Sequence, residues 1–509
     1  MKKITPMVKG AFMCLLTAAI MFSCKKEENR PNDNPAAMGP DLVFYGLTAS
    51  GQLAKFNAMS PGTAISSVAI SGLQSGESIT AIDFRPATGE LYGMGSSSRL
   101  YIINLTTGTA RMVGTDPFSP VLNGDIVGFD FNPTVDRLRV VTNMGQNLRV
   151  NPETGTVAFT DGSINGVSGA MVNAVAYTNS MAGASSTTLF DIDLGTNKLY
   201  KQIPPNNGTL VEVGSLGVMA TNEGGFDISP DNAAVLASLW VDGKSSLFKI
   251  DTATGMASRI GDFPGTDAVK GIAIPTNPVA YAIDGMNNFL IFNPTSTAAP
   301  VSKSMMGLMA GDSLKGIDFR PLNGQIYGLG KSGMLYTINT SNGAVAVVGS
   351  GPYAGLNGAY FGFDFNPTVD RIRVVSRNGQ NLRMHPVTGL VAATDGMLNP
   401  GTPHIASAAY TNNFAGATTT TLYDIDCHND SLYMQVPPND GTLVPVGPLG
   451  VDVLSENGFD IGSTSGIAYA IFTVGGTNGL YSINLSTGAA TKLMDFNSKV
   501  HGFTIGLGF

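Results

Sequence analysis

Apolar and polar residues alternate along this chain in short runs separated by turn chemistry. Ile82-Asp83-Phe84 leads into Arg85-Pro86-Ala87-Thr88-Gly89. Leu91-Tyr92-Gly93, Leu100-Tyr101-Ile102-Ile103, a Thr-Gly turn and Ala110-Arg111-Met112-Val113 follow. Runs of β-branched and aromatic residues between Pro, Gly, Asn and Asp turns predict four short antiparallel strands. Beyond the N-terminal leader, no segment longer than about ten residues carries a helical period.

The four-strand pattern repeats. Its anchor, an Asp between large apolar residues, recurs at Asp83, Asp130, Asp227, Asp318, Asp364 and Asp460, and degenerate anchors centre on Ala176, Ala273, Ala409 and Thr504. The ten centres are spaced 44 to 51 residues apart. Units of that length with four strands each match a β-propeller blade. A longer period overlies this one. Residues 126–155 return at 360–389 with 21 of 30 positions identical, and Asp83-Phe84-Arg85-Pro86 returns as Asp318-Phe319-Arg320-Pro321. The chain is therefore an internal duplication of five units per copy.

Each copy begins out of phase. Leu42-Val43-Phe44-Tyr45-Gly46 aligns with a second strand, so its blade needs an inner strand from Val269–Ile274 or from Val500–Ile505. The expected class is all-β: two tandem five-bladed propellers of four-stranded antiparallel blades, over 41–275 and 279–509. A single ten-bladed ring is the alternative, and the short joint Pro275-Thr276-Asn277-Pro278 suits it.

The N-terminus reads as an address. Lys2, Lys3 and Lys9 precede the apolar stretch Gly10–Phe22, the layout of a secretory signal over 1–23 and short for a membrane span. Met21-Phe22-Ser23-Cys24 resembles a bacterial lipobox, which makes Cys24 the lipidated residue, and 24–40 reads as a polar tether. This predicts a lipid-anchored envelope protein, at the outer membrane or the cell surface. Removing the leader takes Cys14 and three Lys, so the net charge of −8 becomes −11 and Cys427 alone remains for thiol chemistry. No intramolecular disulfide is available, and so acidic a protein is not a nucleic-acid binder.

Candidate chemistry is sparse. The six anchor aspartates, at matching heights around a ring, can either converge on Ca²⁺ or accept hydrogen bonds from the turns that follow them. Arg137, Arg139, Gln146, Asn147 and Arg149, mirrored by Arg371, Arg373, Gln380, Asn381 and Arg383, can form an anion- or sugar-binding patch, or an inter-blade ion-pair network. Asp191 with Asp193, and Asp424 with Asp426, sit two apart on strands, as acid-base work requires. All four His lie in the second copy, so no His-dependent site is common to both. Cys427-His428 lacks a second ligand pair, and Trp240 is the one Trp, a possible sugar platform or a core residue.

The Gly-Phe-Asp-Phe-Asn-Pro-Thr-Val-Asp-Arg signature at 128–137 and 362–371, with Gly-Gln-Asn-Leu-Arg and Thr-Leu-[Phe/Tyr]-Asp-Ile-Asp, resembles the bacterial secreted family named domain of unknown function 4394. The resemblance implies an extracytoplasmic setting in both copies and supplies no catalytic residues. The expected function is a non-catalytic binding or scaffold lipoprotein for a glycan, peptide or envelope partner. The alternative is a propeller hydrolase or lyase on an extracellular polymer, with convergent acids, acting with or without a metal.

Overall fold

A computed structural model describes Met1 and residues 37–509; the leader, Cys24 and most of the tether lie outside the described residues. Forty strands form ten four-stranded antiparallel sheets, and the described helical structure is two three-residue 3-10 turns, Pro205–Asn207 and Pro438–Asp440.

The sheets close as two rings. Val43–Thr48 pairs with Val269–Ala273 (Gly46 opposite Ile272), while Ala280–Asp284 pairs with Val500–Ile505 (Ala282 opposite Phe503). Each copy thus supplies its own missing inner strand, giving two five-bladed propellers. The joint at 275–278 does not continue a blade, as its shortness suggested. Val269–Ala273 and Ala280–Asp284 belong to different sheets, and the joint passes from one ring to the other.

Inner strands surround each channel: Ile79–Phe84, Val127–Asn132, Val172–Tyr177, Ala220–Ile228 and Val269–Ala273 in the N-terminal ring, and Leu314–Arg320, Phe361–Asn366, Ile405–Tyr410, Gly458–Ile461 and Val500–Ile505 in the C-terminal ring. Neighbouring inner strands approach closely. A Cβ on Gly225 would sit 2.3 Å from Ile272 N, so only glycine fits there. The core lies between blades. Tyr92, Met94 and Leu100 of one blade pack on Phe129, Phe131, Leu138 and Val140 of the next, with Tyr92 edge-on to Phe131 at 5.2 Å. The second copy repeats this with Tyr327 and Phe365 at 5.2 Å.

In such a meander, the turns joining strands one to two and three to four lie at one end of the ring. The two-to-three turns and the blade connections lie at the other. The rings meet through the first kind of end. Asp136 takes a left-handed conformation (φ 48°) in the Asn132–Asp136 turn and accepts both Nε and Nη2 of Arg85. Arg85 also donates to Glu153 and to the carbonyl of Gly324 in the other ring, and Thr340 of that ring donates to Asp136. Gly324 (φ 64°) is required, since a Cβ there would lie 2.8 Å from Arg85 Nη1. Tyr281 donates to Ala87 O, and Arg111 to Leu322 O.

Candidate functional site

Each inner strand is the edge of its blade and leaves N–H groups pointing at the channel with no strand to accept them. At the anchor level five such donors ring each channel. In the N-terminal ring, Asp83 accepts Phe131 N (2.8 Å), Asp130 accepts Tyr177 N (3.1 Å) and Asp227 accepts Ile274 N (2.5 Å), in each case from the next blade. Where the preceding anchor is Ala176 or Ala273, the following Asp serves its own neighbour: Asp227 accepts Ile228 N and Asp83 accepts Phe84 N. Three carboxylates satisfy five donors.

The C-terminal ring follows the same rule. Asp318 accepts Phe365 N, Asp364 accepts Tyr410 N, and Asp460 accepts Ile505 N and its own neighbour Ile461 N. The fifth donor, Phe319 N, is taken by Thr504 Oγ1 at 3.3 Å. The anchors therefore do not bond their following turns as the corner-fixing expectation held. Turn duty falls to Asn132 and Asn366, whose Oδ1 atoms accept Thr134 N and Thr368 N.

The six aspartates split into two triads. Asp83, Asp130 and Asp227 bring one carboxylate oxygen each within 4.8 Å of one another, as do Asp318, Asp364 and Asp460. All are buried. Burial pushes Asp227 and Asp460 up to about 7 despite their N–H partners. Asp83, Asp130, Asp318 and Asp364 are raised well above the usual range, first by burial and then by the neighbouring carboxylates.

The arginine patch is folded into a seam between blades. Arg139, 2% exposed, donates to Tyr177 Oη (3.2 Å), Asn147 Oδ1 (2.7 Å), Asp161 (2.6 Å) and Asn206 Oδ1 (2.8 Å). Arg149 forms two bonds to Asp161, both 2.8 Å, and Asn147 donates to the carbonyls of Gly162 and Pro205. Arg373, Arg383 and Asn381 repeat this with Tyr410, Asp395, Asn439, Gly396 and Pro438. Gln146 and Gln380 pin the preceding connection through the carbonyls of Val121 and Gly355. Arg137 and Arg371 donate to the carbonyls of Asp136 and Asp370. With Arg139 and Arg373 enclosed, the open anion patch expected on this strand face does not form.

The paired acids part company. Asp193 and Asp426 cap their own turns, accepting Gly195 N and His428 N, whereas the oxygens of Asp191 and Asp424 are buried with no hydrogen-bond partner. Burial raises Asp191 well above the usual range and Asp424 to about 8, with Arg139 and Arg373 pulling the other way. Trp240 lies half-buried in Val235–Val241, and the His428 ring lies 4.8 Å from that of His404, tilted by 49°, beside Cys427, whose thiol meets His404 O.

The family profile described as Domain of unknown function (DUF4394) matches residues 52–273 and 288–504. The chain belongs to this family. Both matches fall one per ring, so the family unit is the five-bladed propeller. No curated protein matches. Among solved structures, the chain is similar to PorZ, a bacterial surface component of the type-IX secretion system of Porphyromonas gingivalis, at 14% identity and a TM-score of 0.26, covering 89% of this chain and 66% of that one. It is also similar to the extracellular domain of the one-component system BT4673 from B. thetaiotaomicron, at 12% identity and a TM-score of 0.24, covering 91% and 61%. The chain thus spans slightly under two thirds of each of these chains.

The triads set a pH dependence. A carboxyl whose folded pKa lies above its unfolded value stays protonated in the native state, so unfolding releases protons and stability falls as pH rises through that window. For Asp227 and Asp460 the window runs from the ordinary range near 3.8 to about 7. In EDTA, the melting temperature of the native chain should therefore fall as pH rises through this window, and an Asp130→Asn/Asp364→Asn variant, which lacks two more of the raised carboxyls, should fall less, because an amide does not ionise. An equal or larger fall in the variant would refute the assignment.

Proposed function

We propose that the chain is a non-catalytic binding module of the bacterial cell envelope, held by a lipid on Cys24 and presenting the outward ends of its two rings to a protein partner. One observation carries this reading. Within 41–509 the five most exposed large apolar side chains are all methionines, Met286 (80%), Met219 (74%), Met306 (72%), Met144 (68%) and Met397 (67%). All five lie on two-to-three turns or blade connections, at the end of each ring opposite the inter-ring contact. Flexible, polarisable thioethers suit a surface that adapts to another protein.

A hydrolase needs acids open to substrate. The acids that converge here are each 3% exposed or less and already hold backbone N–H groups. The polar signature is thus spent on ring assembly, and the methionine ends remain for recognition.

Photo-crosslinking in cells tests this. A crosslinker at position 144, 219, 286, 306 or 397 of the full chain should give discrete protein adducts. The same group at Lys249 or Thr491, exposed on outer blade strands, should give none. Equal labelling from both sets, or none from the first, contradicts the proposal.

A further inference from the structure

The two channels differ just beyond the carboxylate layer. In the C-terminal ring a cavity of about 10 Å³, the space of one water, opens where the inner strands begin. Ser407, Asn457 and His501 line it together with Gly316, Gly458 and Gly502. Ser407 and Asn457 are 5% and 3% exposed, yet Ser407 Oγ and Asn457 Oδ1 accept no hydrogen bond. Buried polar atoms of that kind imply a missing partner.

The cavity wall also includes Ile317, Phe363 and Phe459. These precede Asp318, Asp364 and Asp460, so the carboxylates lie one strand step, about 3.3 Å, deeper. Asp424, fully buried with both carboxylate oxygens unpartnered, is close enough to act on Asp364. Thr504 Oγ1 lies 2.9 Å from both Asp318 Oδ1 and Asp460 Oδ2 but has one proton to give. Three carboxylates, with Asp424 acting on one of them, thus lie one strand step from a cavity whose two buried polar side chains lack partners.

We propose that the C-terminal channel binds one Ca²⁺-like divalent cation through Asp318, Asp364 and Asp460, with Ser407 and Asn457 holding a water on its open side. One oxygen from each of the three carboxylates lies within 4.8 Å of the others, close enough for a single ion bonded at about 2.3–2.6 Å to reach all three. Lys315, Lys499, Glu456 and Asp284 surround His501 at the mouth, leaving mixed charge on the entry path. In the N-terminal ring the positions of Ser407, Asn457 and Thr504 are Ala174, Gly224 and Ala273. That channel has the carboxylates without the water cradle.

Calorimetric titration of the EDTA-stripped full chain with CaCl₂ tests this. One ion per chain should bind. Asp364→Asn should abolish binding while folding normally, because its Oδ1 still accepts Tyr410 N. Ser407→Ala with Asn457→Ala should weaken binding by about tenfold, the usual effect of removing outer-shell partners, and keeps the test alive if Asp364→Asn does not fold. Asp130→Asn, in the other ring, should leave binding unchanged. No bound ion would overturn the site. Two ions per chain, or loss on Asp130→Asn, would overturn its assignment to the C-terminal ring.

Discussion

Arg85→Ala should destabilise the chain by about 3–5 kcal/mol in equilibrium denaturation, whereas Arg320→Ala, the same position of the second copy, should cost about 1 kcal/mol or less. The local chemistry is shared. Arg85 pairs with Asp136 through Nε at 2.9 Å, and Arg320 pairs with Asp370 through Nε at 2.8 Å. Their surroundings decide the difference. Arg85 and Asp136 have side chains 0% and 5% exposed beneath Gly324 and Thr340 of the other ring, while Arg320 and Asp370 are 11% and 32% exposed. Losing Arg85 strands a carboxylate whose pKa it holds down against the effect of burial, and leaves Gly324 O without its donor. Losing Arg320 leaves Asp370 to water. Equal effects of the two substitutions would mean that the inter-ring contact adds nothing to burial.

Asp227→Ala should cost about 2–5 kcal/mol, and Asp130→Asn should be close to neutral or slightly stabilising. Asp227 accepts two N–H groups, from Ile228 and Ile274, and one of these ties the closing strand of the ring. Each buried donor left without an acceptor costs about 1–3 kcal/mol. Asp130 has one such donor, Tyr177 N, on Oδ1. Asparagine keeps that acceptor, removes one of three crowded carboxylates and offers its amide protons to Asp83 and Asp227. Urea midpoints of the two variants should therefore fall on opposite sides of a wide gap. Similar losses from both would mean that the carboxylates act through charge rather than as acceptors.

Much of the architecture was legible because propeller blades repeat. The spacing of the anchors located every inner strand, including the degenerate ones, and the phase at Leu42–Gly46 showed that this blade takes its inner strand from Val269–Ile274 or Val500–Ile505, which left two rings and one ring both open. The shortness of 275–278 misled, since linker length cannot report which sheet each flanking strand joins. The anchors illustrate the limit at the site. Their recurrence put them at one height, but the partner of Asp83 lies 48 residues away on the next blade, a relation that exists only once the ring closes. Ser407 and Asn457 carried no signal of their own. Comparing the two copies position by position, Ala174 with Ser407 and Gly224 with Asn457, would have marked them. The arginine patch failed for a physical reason: strand alternation gives the side of a blade, and in a propeller both sides face another blade.

The central claim is that the signature aspartates build the rings by accepting the N–H groups that the inner strand edges leave open. Residue-resolved hydrogen exchange on the full chain tests it most directly. The amides of Phe131, Tyr177, Ile274, Phe365, Tyr410 and Ile505 should exchange among the slowest in the molecule, and Asp227→Ala should release Ile228 and Ile274 in particular. Exchange of these amides at the rate of the exposed turns in the native chain would contradict the account.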